Sequence, residues 1–204
     1  RAGGGNMNRI IIPVICFAMA SFLVGCATEP RLPEQSGMAK TLVLEQALTG
    51  LIRGDGTVTD ITGDITRFKV EIHGDWDGSI LTLIEDFKYE DGKKERKTWK
   101  LASLGNGRFQ GIREDVIGTA AVYQDGNAVR LDYQVTLDTS FGQLDCRFRD
   151  LLYLEPDGSV KNTATVSKLG IRLAQVNITM QPETPSATVY RRASDPDTSA
   201  LPSP

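Results

Sequence analysis

Val129-Arg130-Leu131-Asp132-Tyr133-Gln134-Val135-Thr136-Leu137 alternates apolar and polar side chains without a break. Successive side chains of an extended chain point to opposite faces, so this run reads as a strand with one face in a core and the other in water. The same beat recurs on both sides of it. Leu81, Leu83, Phe87 and Tyr89 share one face of the Ile80–Tyr89 run, and Glu85 interrupts that face. Val70 with Ile72, Trp99 with Leu101, Leu144 with Cys146 and Phe148, and Ile171 with Leu173 extend the pattern.

Turn-forming residues fall between these runs: Asp55-Gly56, Thr62-Gly63-Asp64, Asp75-Trp76-Asp77-Gly78, Asp91-Gly92, Gly105-Asn106-Gly107, Asp125-Gly126-Asn127 and Pro156-Asp157-Gly158. Asp-Gly and Asn-Gly supply the positive φ values of tight hairpins. Thr41 to Leu51 reads equally as a short helix, with Leu44, Ala47, Leu48 and Leu51 on one face, or as a strand. The expectation is an all-β domain over residues 42–181, with eight to ten antiparallel strands in sequence order. A sheet that long must hide its edges. An up-and-down calycin or lipocalin-like barrel does so by closing, with a filled or hollow centre, and a two-sheet sandwich is the alternative.

The flanks read differently. Ile10 to Val24 is an apolar run of about fifteen residues, short of the ~20 that cross a bilayer as a helix, and Asn8-Arg9 precedes it. This is the layout of a secretory signal over residues 1–25, with Met7 as the start and residues 1–6 as an upstream extension. Leu23-Val24-Gly25-Cys26 resembles the lipobox of bacterial lipoproteins. The resemblance implies cleavage before Cys26 and a thioether-linked diacylglycerol with an acylated amine on that residue. A plain secretory signal with a chance cysteine is the alternative. Each buried methylene contributes roughly 0.8 kcal/mol, so several acyl chains hold a protein firmly on a membrane. In such lipoproteins an aspartate after the cysteine tends to retain the product in the inner membrane, so with Ala27 there the resemblance implies the periplasmic face of the outer membrane. Residues 26–41 read as the lipidated cysteine and a tether, and residues 182–204, with five prolines, as a disordered tail.

Loss of the leader removes Arg1 and Arg9 and takes the formal charge from −3 to −5. A mildly acidic chain without a basic block has no electrostatic footprint for nucleic acid. Of three cysteines, Cys16 leaves with the leader and Cys26 is acylated, so Cys146 has no intramolecular partner. It shares the apolar face of its strand, as a buried inert thiol.

The order and spacing of further residues resemble the domain-of-unknown-function 3833 family of Gram-negative envelope lipoproteins. The matching positions run from Gly50 to about Val176. They include Arg67-Phe68-Lys69-Val70, Leu83-Ile84-Glu85-Asp86-Phe87, Gly107-Arg108-Phe109-Gln110-Gly111, Asp115-Val116-Ile117-Gly118, Asn162 and Lys168-Leu169-Gly170. The resemblance implies an envelope location and a calycin-like barrel more than any reaction. Two departures remove an acid. Arg149-Asp150-Leu151 stands where the family has Asp-Asp-Trp, and Ala174-Gln175 where it has Gly-Glu.

Candidate chemistry is thin. His73 is the sole histidine, which leaves out two-histidine zinc sites, and it reads as an exposed strand-end residue. The Asp-rich turns lack the spacing of a calcium loop, and no cofactor or metal is expected. Trp76 is expected to stand exposed in its turn, where it could touch a partner or lipid. Glu85 falls on an inward face and needs a partner or a raised pKa, with Arg67, Arg130 and Arg147 as candidates. Asp115 reads as a turn-holding side chain or a site acid. Three functions follow: a binding module whose cavity is lined by Leu83, Phe87, Trp99, Tyr133 and Phe148 and holds a lipid-like small molecule; an enzyme acting on lipid-like substrates with Glu85 and Asp115 as acid and base; or an envelope assembly factor with a solid core and an exposed apolar patch around the turns.

Overall fold

A computed structural model describes residues 29–33, 41–139 and 142–183. The expected signal peptide, Cys26, most of the expected tether and all but residues 182–183 of the expected C-terminal tail lie outside them. One short helix, α1 (Leu44–Ala47), precedes ten strands: β1 (Gly50–Asp60), β2 (Ile65–Trp76), β3 (Ile80–Tyr89), β4 (Lys94–Gly105), β5 (Arg108–Ile112), β6 (Ala120–Asp125), β7 (Ala128–Thr139), β8 (Gly142–Leu154), β9 (Val160–Lys168) and β10 (Ile171–Pro182). Each pairs antiparallel with its sequence neighbours, and β1 pairs with β10, so the sheet closes. This is the up-and-down barrel that the alternation predicts, and closure leaves no free edge.

The inward rows are the expected ones except in β10, where a register shift between Arg172 and Ala174 leaves Ile171 exposed and turns Ala174, Val176 and Ile178 to the interior in place of the expected Ile171 and Leu173. Val129, Leu131, Tyr133, Val135 and Leu137 are all buried, as are Leu81, Leu83 and Cys146. The outer face of β1 to β4 carries Arg53, Asp55, Lys69, Glu71, Asp86 and Arg96, linked in exposed ion pairs. A membrane-spanning barrel carries an apolar outer band, whereas these four strands carry charged pairs on that face.

Residues 41–51 are both things the sequence allows. Leu44 and Leu48 are buried beneath the one-turn helix, and β1 begins two residues later. Leu42 N–H donates to Gly126 O (3.0 Å) and Leu44 N–H to Gln124 Oε1 (2.9 Å), which seats this segment over one end of the barrel. Gly74 lets it approach closely, since a Cβ there would lie 1.6 Å from Leu48 O.

Two turn assignments fail. Asp55-Gly56 lies inside β1, because Gly56 faces inward under the Phe68 ring; a Cβ would meet that ring at 2.3 Å. An aromatic side chain fills the space the glycine leaves, which is how strand glycines are tolerated. Trp76 is not exposed either. It is the last residue of β2, half-buried, with its ring 6.5 Å from that of Phe109. His73 is exposed as expected, but β2 runs three residues past it, and it pairs with Glu71.

Part of the segment expected to be a tether is held against the barrel. Pro30 is buried, its carbonyl accepts from Arg130 Nη1 (3.2 Å), and Glu29 lies 3.7 Å from the same guanidinium. Among the described residues, no helix is long and apolar enough to cross a membrane.

Candidate functional site

The barrel is hollow at its other end. A cavity of about 490 Å³ opens among the β1–β2 and β3–β4 turns and runs inward between all the long strands. A broader groove of about 760 Å³ lies on the outer wall over Asp55, Arg67 and Lys88, but none of the buried charged groups lines it. Ten strands enclose a wider interior than the eight that side chains just fill, so room inside follows from the strand count.

Aromatic rings form much of the wall. Trp99 and Tyr133 meet edge to face at 5.1 Å, and Tyr133 stacks on Phe148 at 5.3 Å. Phe68 packs against Phe87 and Tyr89, each at 5.6 Å. Of the five expected lining residues, Phe87, Trp99, Tyr133 and Phe148 border the cavity. Leu83 does not. It is packed in the core, closer to the sealed end.

A polar cluster sits within this apolar wall. Arg113 follows β5 and turns inward over Trp99 (4.6 Å from the ring centroid) and Tyr133 (5.4 Å). Its Nε donates to Asp115 Oδ1 at 2.6 Å, and Lys97 Nζ donates to Asp115 Oδ2 at 2.8 Å. Burial opposes ionisation of Asp115, but these two cations outweigh it and hold the carboxyl below its usual range. Asp115 is therefore an ion-paired interior acid that also braces its own turn, in which Val116 N–H donates to Arg113 O (3.1 Å).

Glu85 points inward as expected, but the expected partners are wrong. Arg67 is exposed, Arg130 holds Pro30, and Arg147 pairs with Asp132 at 2.7 Å, all on the outer surface. Arg113 is the cation whose charge acts on Glu85. Burial nevertheless pushes its pKa up to about 7, helped by the negative charge of Asp150. Glu85 keeps a little accessible area because the cavity reaches it, yet its carboxyl lies deep among protein atoms, and depth governs its ionisation.

Asp150 is the acid that the sequence reading passed over. Its Oδ2 accepts from Tyr133 Oη (3.3 Å) and Asn162 Nδ2 (3.4 Å), and burial raises its pKa to about 6. Asp150 Oδ1 and Asn162 Oδ1 are buried and have no hydrogen-bond donor among the described residues. Nearer the mouth, Glu95 is held by Tyr89 Oη (3.1 Å) and Lys93 Nζ (3.3 Å).

The signal for these residues lay in the alternation itself. Leu144, Cys146 and Phe148 continue by twos to Asp150. Leu101 and Trp99 continue back to Lys97 and Glu95, and Phe109 and Gly111 continue to Arg113. Each inward row thus runs from apolar residues into charged ones without a change of parity. The two family departures look different in this light. Positions 149 and 175 alternate with the cavity-lining Asp150 and Ala174 and face outward, so those losses do not strip the cavity of acids.

No group of histidine, cysteine, aspartate and glutamate among the described residues is arranged to hold a metal ion. Fold and site together define a closed calycin-like barrel with an internal, partly charged cavity. The chain belongs to the DUF3833 family, proteins of unknown function, whose model matches residues 20–182. A comparison with curated proteins finds no match. Among solved structures it is similar to the S-type phycobiliprotein lyase CPES from Guillardia theta, with a TM-score of 0.54 and 9% identity over 77% of this chain and all of that one. It also matches a redesigned β-barrel, mFAP1, bound to DFHBI, with a TM-score of 0.36 and 14% identity over 67% of this chain and 96% of that one.

Proposed function

We propose that this protein is a membrane-tethered binding module that holds an amphipathic, lipid-derived small molecule inside its barrel. The observation that carries this reading is the cavity of about 490 Å³, apolar and aromatic along its walls, with Asp150 and Asn162 converging polar atoms inside it. Small-molecule sites have this composition: mostly apolar lining with a few placed polar groups. The fold shared with a phycobiliprotein lyase is compatible with it. An assembly factor with a solid core fits less well, because the core is not solid.

The anchor rests on the lipobox-like Leu23-Val24-Gly25-Cys26. Acylation there would place the barrel on the periplasmic face of the outer membrane. The test is native mass spectrometry of the protein isolated from its own membranes. A co-purifying lipid-sized adduct is expected, and a clean apo mass would favour the assembly role. In parallel, Cys26→Ser should release the protein into the soluble fraction; continued attachment would refute the anchor.

A second reading has one specific observation behind it. The enzyme hypothesis requires Glu85 and Asp115 in one cleft, and both border the cavity, one pushed towards neutrality and the other held ionised. Such splitting is how paired carboxyls divide acid and base roles. Glu85→Gln should then abolish turnover of a lipid-like substrate while the fold persists.

A further inference from the structure

The side chains around the cavity carry an uneven balance of charge. Seven carboxyl side chains border it against three basic ones. Both deep bases are spoken for, since Lys97 and Arg113 converge on Asp115, and Arg113 also lies against two aromatic faces. An anionic head would therefore have to compete with Asp115 for these bases and lie beside the carboxyls of Glu85 and Asp150. What remains unmatched is acceptor capacity. Asp150 is only 9% exposed, and its Oδ1 and Asn162 Oδ1 reach no donor among the described residues. Nearer the entrance, Asp60, Asp64 and Asp91 add negative charge that draws cations in and turns anions away.

From this geometry we infer that the occupant is an amphiphile with a cationic, hydrogen-bond-donating head, a protonated amine, seated at Asp150 and Asn162 with its apolar body along Phe148, Tyr133 and Phe87. The inference rests on the binding-module reading and narrows it, setting ordinary fatty-acid anions aside. A buried acceptor left without a donor is costly, so a ligand N–H that reaches it gains more than the same contact would in water.

The test compares three probes of equal chain length on the full chain by titration calorimetry at pH 7.5, below their micellar concentrations: dodecylammonium, dodecanoate and dodecanol. Dodecylammonium should bind at least about tenfold tighter than dodecanoate, the factor that one charge-assisted hydrogen bond supplies. Asp150→Asn should shrink that preference to less than about threefold, on the same reasoning. Dodecanoate binding as tightly as the amine, or tighter, overturns the inference and leaves the binding module standing. No binding of any probe overturns both. The comparison of probes on the parent protein needs no variant, so it stands even where Asp150→Asn does not fold.

Discussion

Glutamine in place of Glu85 should stabilise this protein relative to its parent at pH 8, and should lose that advantage by pH 4. The carboxyl has an ordinary pKa of 4.5 and is pushed by burial to about 7 in the folded chain. Below pH 4.5 it is neutral in folded and unfolded chains alike, and ionisation costs nothing. Between pH 4.5 and 7 the unfolded chain ionises while the folded one resists, so stability falls as pH rises. Above 7 both are ionised and the full cost remains. That separation corresponds to roughly 3 kcal/mol, and water entering the cavity trims it, so about 1–3 kcal/mol is expected. Glutamine has the same shape and no charge to lose. Asp150, raised to about 6, titrates in the same window and is coupled to Glu85, so the profile belongs to the set formed with Arg113, Lys97, Asp115, Glu114 and Tyr133. Urea denaturation followed by tryptophan fluorescence, repeated from pH 4 to pH 8, reads the difference directly. A difference between variant and parent that stays flat across this range would refute the reasoning, whatever its size at one pH.

Asp115→Asn should cost about 3–5 kcal/mol, because it leaves Arg113 buried without its carboxylate, whereas Asp132→Asn, which breaks the half-exposed pair with Arg147, should cost under about 1 kcal/mol; similar losses in thermal unfolding would contradict the placement of Arg113. Gly56→Ala should destabilise by about 1–3 kcal/mol, as the new methyl displaces the Phe68 ring, and Gly74→Ala should do more damage because its methyl meets the backbone at Leu48 instead of a movable side chain. Equal melting temperatures for those two variants would show that α1 is not pressed against β2. Cys146 is buried and its thiol pKa is raised, chiefly by desolvation, so maleimide labelling at pH 7.5 should be negligible until the protein unfolds.

Much of this architecture was legible in one dimension, because a strand writes its orientation into every second residue. The Val129–Leu137 run names its buried face unaided, and the Asp-Gly and Asn-Gly pairs mark most hairpins. Asp55-Gly56 misled because the residue that fills the glycine's space, Phe68, belongs to the next strand. Trp76 misled for the same reason, since its shelter is Phe109 on β5. Period two puts Glu85 on the inner face, and the cation that acts on it, Arg113, lies just beyond the end of β5. Arg67, Arg130 and Arg147 are all in strands, and period two sends all three outward.

Sequence by itself therefore determined the strand period, the hairpin order and which side of most strands meets the interior, since these are local consequences of backbone geometry; β10, where a register shift moves the inward row from Ile171 and Leu173 to Ala174 and Val176, is the exception. Only the tertiary structure decided that β1 meets β10, that the tenth strand leaves the centre hollow, and that Glu85, Arg113 and Asp150 from three distant segments share one chamber. Those outcomes depend on how many strands complete the ring and at what register, and no short stretch of chain holds that information.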